Sequence, residues 1–414
     1  MDYQKTFPPL ERENYTMATQ GKIRIFKREG KKRTTYAYSI EAGLDPITGK
    51  RKRISKSGFK TAKEARQAAQ PILNKLLLGQ NIIESNITFS EYANTWLNNK
   101  RIGIKLATQS NIETTISIAN KYFRNKKIKD ITPYIYQQFI NDYSTNIKID
   151  TVKMRHKIIN NIFKAAVKFN IIRTNPTIDV EFPNKTTPKK DITDLYLTKE
   201  ELQKFLLFLK NKKYKSSRYF YPLCVLLAYT GMRLGEACAL TWQDIDFNKK
   251  TIFIHSSMFA KNYTIYQRQD TPKNQSSIRK IFIDKFLIKI LKDWHKEQLI
   301  NRLNNGINNK VDAEDYVFTN IVLHTNKEKA VLPIAVSTAF KYINKKHLFP
   351  KHIHAHMLRH THVSLLAETR KVSLTDIQAR LGHSSDETTR RVYLHVTEKS
   401  KIDTARIFEE YMAK

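Results

Sequence analysis

Eleven consecutive residues in the second half of the chain carry no charge: Tyr221-Pro-Leu-Cys-Val-Leu-Leu-Ala-Tyr-Thr-Gly231. A helix that is apolar on every side has to be buried on every side. This run therefore predicts a central helix wrapped by other elements and stopped by Gly231. Met232-Arg233-Leu-Gly-Glu236 then opens a second helix toward Trp242. An arginine just past a buried helix and a glycine is awkward as plain surface. It can be an ion-pair partner of Glu236 or a ligand for a phosphate, and the sequence favours the phosphate.

A second stretch carries the chemistry. It reads His356-Met-Leu-Arg359-His360, then Leu381-Gly-His383, then Arg391-Val-Tyr393, with nine residues between His383 and Tyr393. A phosphodiester must have its charge neutralised before a nucleophile can approach, and the planar fork of arginine does this bidentately. Histidines donate to phosphate oxygens or move protons near neutral pH. A tyrosine hydroxyl can then attack phosphorus and form a covalent intermediate. The segment reads as the catalytic end of a DNA strand-transfer enzyme.

The charge balance agrees with a polyanionic partner. Lys and Arg number 73 against 38 Asp and Glu, giving a formal charge of +35 spread along the chain. That exceeds what solubility requires and makes nucleic acid the first candidate, ahead of an anionic membrane surface. Cys224 and Cys238 sit in apolar surroundings without metal-ligand spacing and read as buried thiols of a reducing cytoplasm. No run approaches about 18 uninterrupted apolar residues, and the polar start lacks a signal-peptide core, so a cytosolic protein is expected.

Taken in order, residues 1–20 read as a lead-in without periodicity. Short alternating strands follow: Ile23 and Ile25, then Tyr36, Tyr38 and Ile40, then Arg51-Lys-Arg-Ile-Ser, the last two separated by the turn Asp45-Pro-Ile-Thr-Gly49. Thr61-Ala-Lys-Glu64 is a capping box opening a helix that ends near Gly79. The result is a three-stranded sheet plus helix over 21–80, with Lys22, Arg24, Arg33, Arg51, Lys52 and Arg53 on strands and their ends. Such a basic sheet can be a solvated face or can lie in a major groove; the groove is favoured.

Residues 86–182 read as helical, opened by the box Thr88-Phe-Ser-Glu91, with further segments at 108–122, 133–145 and 150–170. Lys105, Lys153 and Arg155 are interleaved with the apolar stripes and could track phosphates. Residues 183–195, with Pro183 and Pro188, read as a linker. From 196 on, Thr198-Lys-Glu-Glu201 caps a helix, strands are expected at 251–257, 263–269 and 278–283, and helices resume at 284–305 and 335–346. Thr271-Pro-Lys273 falls between the last two strands, where an ammonium could protonate a departing oxygen.

Thr230-Gly-Met-Arg233-Leu-Gly-Glu236, Thr271-Pro-Lys273, His356-Met-Leu-Arg359-His360-Thr, Leu381-Gly-His383-Ser-Ser and Tyr393-Leu-His-Val together resemble the tyrosine recombinase signature of lambda-type integrases. The resemblance runs through the whole chain in order. It implies an arm-type DNA-binding module, a helical core-binding domain and a mixed α/β catalytic domain over 196–414: a multidomain, mainly α chain with α+β parts. It looks closest to integrases of phages and conjugative transposons. It implies that Arg233 and Arg359 clamp the scissile phosphate, Lys273 is the general acid, His356 assists proton transfer, His383 binds phosphate and Tyr393 forms a 3′-phosphotyrosyl bond. Glu236 would give structural support, and no metal or other cofactor would be needed. It also implies core-type and arm-type double-stranded DNA sites, a homotetramer on DNA whose protomers exchange the tail around Ile402–Met412, an excision factor, a host DNA-bending protein and work at the bacterial nucleoid.

The His-rich run from His352 to His362 raises zinc as a rival, since His356 and His360 are four apart. Met357 stands where a metalloprotease helix needs glutamate, and no third ligand stands out, so zinc is disfavoured. Ser373 to Ser385 could be mistaken for a helix-turn-helix, but a helix under the active site that delivers His383 fits better. A non-enzymatic DNA-binding regulator and a type IB topoisomerase are the remaining rivals.

Overall fold

The computed structural model describes residues 22–29, 34–44, 51–77, 86–184, 191–212, 218–270, 277–307, 310–322, 327–382, 387–398, 409 and 412–413. The chain divides into two compact units, 1–187 and 188–414.

In the first unit, β1 (Ile23–Glu29), β2 (Thr34–Leu44) and β3 (Arg51–Phe59) form an antiparallel sheet in the order β1-β2-β3. The register pairs Ile25 with Tyr38, Ile23 with Ile40 and Ile40 with Ile54, so period-2 alternation puts these apolar residues on one face. α1 (Ala62–Leu77) lays Ala69, Leu73 and Leu76 against Tyr38, Ile40 and Ala42. Thr61 Oγ1 accepts from the Glu64 N–H at 3.1 Å, as the box predicts, although the Glu64 carboxylate bonds the N–H of Lys60. The opposite face is left with Arg24 opposite Ser39 and Arg53 opposite Glu41.

Four helices follow: α2 (Phe89–Lys100), α3 (Leu106–Phe123), α4 (Pro133–Ser144) and α5 (Ile149–Lys168). Thr88 and Glu91 form the reciprocal capping box that opens α2. The bundle closes over an aromatic core in which Phe89 and Phe123 meet edge to face at 5.2 Å and Phe123 and Phe139 meet at the same distance. Such pairs add geometry to burial.

The second unit opens with a short 3-10 turn, Ile192–Leu195, and with α6 (Lys199–Asn211), capped by the Thr198–Glu201 box. α7 (Phe220–Thr230) is the apolar run of the sequence, and Leu223, Cys224, Val225, Leu226 and Leu227 are fully buried. α8 (Leu234–Ala239) follows, and β4 (Ile245–Asp246), β5 (Thr251–Ile254) and, later, β8 (Arg279–Phe282) form one antiparallel sheet. β6 (Ser257–Ala260) and β7 (Tyr266–Gln269) make a separate hairpin. The strand expected over 251–257 is therefore divided: β5 ends at Ile254, and β6 begins at Ser257 in another sheet. α9 (Lys285–Asn304) leads to a second hairpin, β9 (Thr319–Val322) with β10 (Lys327–Ala330), which the sequence reading missed. Thr-Asn-Ile-Val and Lys-Glu-Lys-Ala are too short and too polar to announce strands. Then come α10 (Pro333–Lys345), α11 (Ala355–Glu368), α12 (Leu374–Leu381) and α13 (Glu387–Glu398). α11 packs on α7 on one side and α13 on the other.

Candidate active site

The site grows from the turn that ends α7. Thr230 Oγ1 donates to the Leu226 carbonyl at 2.6 Å and accepts from the Met232 N–H at 3.3 Å. Gly231 then adopts a φ of 66°. A Cβ there would lie 2.6 Å from Leu381 Cδ2 and 2.7 Å from His362 Cδ2. Glycine is thus required both for the left-handed backbone and for the space. The turn hands the chain to Arg233, in extended backbone immediately before α8, with its side chain 38% exposed.

Of the two readings the sequence left open for Arg233, the ion pair with Glu236 is present. The Arg233 backbone N–H donates to Glu236 Oε2 and its Nη1 to Glu236 Oε1, each at 2.8 Å, while the side chain as a whole stays half-exposed. Glu236 is itself buried and accepts from a second arginine that the sequence reading passed over. Arg279 Nη2 reaches Oε2 at 2.9 Å and Arg279 Nη1 reaches Oε1 at 3.3 Å. Burial alone would raise the Glu236 carboxyl, but the hydrogen bonds and charges of Arg279 and then Arg233 outweigh it and lower the pKa. Arg279 also donates through Nε to the Arg380 carbonyl at 2.7 Å and through Nη1 to the Ser277 carbonyl at 3.1 Å. The signal was present in the sequence: period-2 alternation along β8 places Arg279 on the inward face with Ile281, a costly position for a lone charge.

Arg359 lies one turn into α11 and is 2% exposed. Its Nη1 donates to the Gly231 carbonyl at 2.6 Å and its Nη2 to the Leu381 carbonyl at 3.0 Å. One guanidinium thus joins the turn that precedes Arg233 to the end of α12, two residues before His383. His362, one turn further along α11, is gripped from both ends. Nδ1 lies 2.9 Å from the Ala228 carbonyl, which can only accept, and Nε2 accepts from Arg380 Nε at 3.1 Å. These partners require the neutral ring with its proton on Nδ1. Burial first, then the Arg380 charge, push its pKa down to about 3. His362 and Arg380 were also missed, because nothing in a helical run distinguishes a packed histidine from a reacting one.

His356 sits exposed in the first turn of α11, its ring edge-on to that of His360 at 4.4 Å. His354 caps the helix, its Nδ1 accepting from the Met357 N–H at 3.1 Å. Tyr393 is half-buried on α13 and packs against the apolar cluster of Tyr196, Val363, Ile377, Leu381 and Val392. Lys273 and His383 fall within 271–276 and 383–386, outside the described residues. The described chain resumes one residue past Lys273's segment at Ser277, beside Arg279, and stops at Gly382, whose φ of 70° ends α12.

The proposed DNA-contacting residues lie in the first unit. Lys22, Arg24, Arg51 and Arg53 are exposed, and Arg51 makes only a loose 3.8 Å pair with Glu41. Arg33 and the side chain of Lys52 lie outside the described residues, as does most of the tail at Ile402–Met412. Lys153 is exposed on α5 with Nζ 5.7 Å from the Phe182 ring centre. Lys105 is half-buried just before α3. Arg155 points inward, donating to Thr115 Oγ1 at 3.1 Å. Among the described residues, no helix is long and apolar enough to cross a membrane.

Comparison with known proteins covers all three regions. The phage integrase family matches residues 195–400, an arm DNA-binding domain matches 26–76, and the N-terminal SAM-like domain of phage integrases matches 88–144. The integrase of Staphylococcus phage L54a is 31% identical over 328 residues, covering 76% of this chain and 90% of that protein. Among solved structures, the Tn1549 transposon integrase (aa 82–397) in complex with transposon right end DNA aligns with a TM-score of 0.59 at 21% identity, over 79% of this chain and all of that one. A lambda integrase tetramer bound to a Holliday junction aligns with a TM-score of 0.53 at 18% identity, over 86% of this chain and 91% of that one.

Proposed function

This chain belongs to the phage integrase family of tyrosine recombinases, site-specific enzymes of mobile elements, and from that premise we propose how its own residues cut and rejoin DNA. Arg233 and Arg359 hold the scissile phosphate, Tyr393 attacks phosphorus, and the 5′-oxygen leaves with a proton from Lys273. The phosphate is left joined to Tyr393 at a 3′-end. His356 assists proton movement and His383 donates to a phosphate oxygen. A second DNA strand's 5′-hydroxyl reverses the chemistry, returning the proton and releasing Tyr393. The observation that carries the reading is the turn at 231–233. Arg359 is fixed to its carbonyl and Arg233 leaves it half-exposed, so two guanidinium groups share one mount.

The chemistry is self-sufficient in energy, because the phosphotyrosyl ester conserves the bond that was cut. Fixed cationic donors stabilise the developing charge, and they cost no reorganisation at the moment of reaction. A tyrosine with an ordinary pKa of about 10 needs that cationic surrounding to attack near neutral pH.

The open face of the β1–β3 sheet, with Arg24 and Arg53, would take arm-type sites, with Lys22 and Arg51 at strand ends and Arg33 and Lys52 completing the set. Lys105, Lys153 and Arg155 would belong to a core-site clamp formed by 86–182. Arg155, turned toward Thr115, would serve it by fixing α5 against α3 unless DNA draws the side chain out. By analogy with the lambda integrase tetramer bound to a Holliday junction, four protomers would act together on DNA. The family resemblance adds an excision factor, a host bending protein and work at the bacterial nucleoid.

The test is covalent trapping on nicked duplexes that span the element's attachment junction. Wild type should give an adduct on a denaturing gel, and Tyr393→Phe should bind the same DNA without one. An adduct surviving in Tyr393→Phe would move the nucleophile to another residue. Binding without any adduct from wild type would reduce the protein to a regulator, and relaxation of any supercoiled plasmid without site preference would make it a topoisomerase.

A further inference from the structure

Arg279 is not among the residues that would touch the phosphate, yet it is buried and bonded on several sides within the site. Its side chain is 7% exposed and makes four hydrogen bonds, two to Glu236 and one each to the carbonyls of Arg380 and Ser277. Glu236 in turn accepts from both the backbone and the guanidinium of Arg233. One buried carboxylate therefore stands between two arginines. On one side is Arg233, half-exposed; on the other is Arg279, which has no route to solvent comparable to it.

The asymmetry defines a role. Arg233 alone would give each oxygen of the buried carboxylate a single donor, and Arg279 supplies a second donor to each. Without Arg279 the carboxylate would be held from the Arg233 side alone. Arg279 braces it from the other side, and its Nε bond to the Arg380 carbonyl ties that brace to the last turn of α12. Its own backbone begins β8, six residues after Lys273. A lysine cannot replace this: it has one point of charge where the geometry uses three separate nitrogens in a plane.

We propose that Arg279 is a positioning residue of the strand-transfer reaction, holding Arg233 at the scissile phosphate through their shared grip on Glu236. The inference rests on the reading of Arg233 as a phosphate ligand given above. It makes Arg279 act through the charge that Arg233 delivers, and not through DNA binding or the leaving group.

The test uses single-turnover adduct formation by full-length wild type, Arg279→Lys and Arg233→Ala on three nicked duplexes. These carry an ordinary scissile phosphate, an uncharged methylphosphonate at that position, or a 5′-bridging sulfur. Displacing a reacting or clamping group by about an ångström costs on the order of 100-fold. Arg279→Lys should therefore lose about that factor on the phosphate but less than about threefold on the methylphosphonate, where no anionic charge needs neutralising. Arg233→Ala should show the same pattern. Because each comparison is a ratio of rates in one preparation, partial unfolding of the variant cancels. Equal losses on phosphate and methylphosphonate would overturn the proposal in favour of a merely structural arginine, as would no loss on either. Recovery on the sulfur substrate alone would also overturn it, by assigning Arg279 to the Lys273 side. Wild type failing to form an adduct on the ordinary phosphate would instead sink the recombinase roles on which the inference stands.

Discussion

Arg359 Nη1 donates to the carbonyl oxygen of Gly231 at 2.6 Å, across 128 residues of sequence. Arg233 begins two residues after that glycine. The two arginines proposed to hold one phosphate therefore take their positions from a single turn, and an error in the turn is transmitted to both. The charges are thus set before DNA arrives, so little has to be rearranged at the reaction.

Gly231→Ala follows directly. The substitution puts a side chain on a φ of 66° and a methyl carbon 2.6 Å from Leu381 Cδ2 and 2.7 Å from His362 Cδ2. Left-handed backbone costs about 1–2 kcal/mol and overpacking a further 1–3. A loss of about 2–5 kcal/mol in urea unfolding is expected, together with loss of adduct formation in whatever protein remains folded. A variant that is both stable and fully active would show that the turn does not set the arginines.

His362 makes a pH prediction whose sign can be worked out. Its folded pKa is pushed down to about 3, from an ordinary value near 6.5 in the unfolded chain. Between these two values the unfolded chain carries the extra proton and the folded one does not. Stability from this group is therefore fully present above about pH 6.5 and falls as pH drops toward 3. Going from about pH 7.5 to pH 5 should cost about 2 kcal/mol from His362 alone. Urea midpoints across that range, compared with His362→Gln, check it: the variant should lose most of this slope. An unchanged slope would mean that the ring is already protonated in the folded state.

Glu236→Gln should separate the two arginines without emptying the space. Breaking a buried ion pair by neutralising one member costs about 3–5 kcal/mol, since the partner charges remain. Here Arg279 is buried and Arg233 is not, so the stability loss should come chiefly from Arg279. In the double variant Glu236→Gln/Arg279→Met, part of the stability should return while cleavage does not. Recovery of cleavage along with stability would mean that Glu236 matters only as packing.

What was legible in the sequence follows a physical divide. Residues whose role is local announced themselves: the uncharged run of α7, the capping boxes at Thr88 and Thr198, the glycine after Thr230. Each is specified within a few neighbours by propensity, capping or period. Candidates for the reacting side chains could be proposed because few residue types can do that chemistry. Arg279, Arg380 and His362 were not, because their partners lie far off in sequence: Glu236 is 43 residues from Arg279 and Ala228 is 134 from His362. Arg279 alone left a trace, as a charge on the buried face of a strand. The β9–β10 hairpin was invisible because its residues are too polar and too few for an alternation to stand out.

Lys273 offers the sharpest chemical prediction, because its proposed act occurs only in the transition state. A general acid contributes about 10²–10⁴-fold and nothing to ground-state affinity. Lys273→Ala should therefore bind the nicked duplex within a few-fold of wild type, while adduct formation slows by that larger factor. The cause can be isolated with the 5′-bridging sulfur substrate. A thiolate departs without needing a proton at neutral pH, since thiol pKa values lie near 8.5, whereas an alkoxide does need one. The sulfur should restore most of the lost rate in Lys273→Ala and should do little for Arg233→Ala, whose defect is charge at the phosphate. Equal losses of binding and cleavage in Lys273→Ala, or no rescue by sulfur, would assign the proton to another group, with the exposed His356 the next to test.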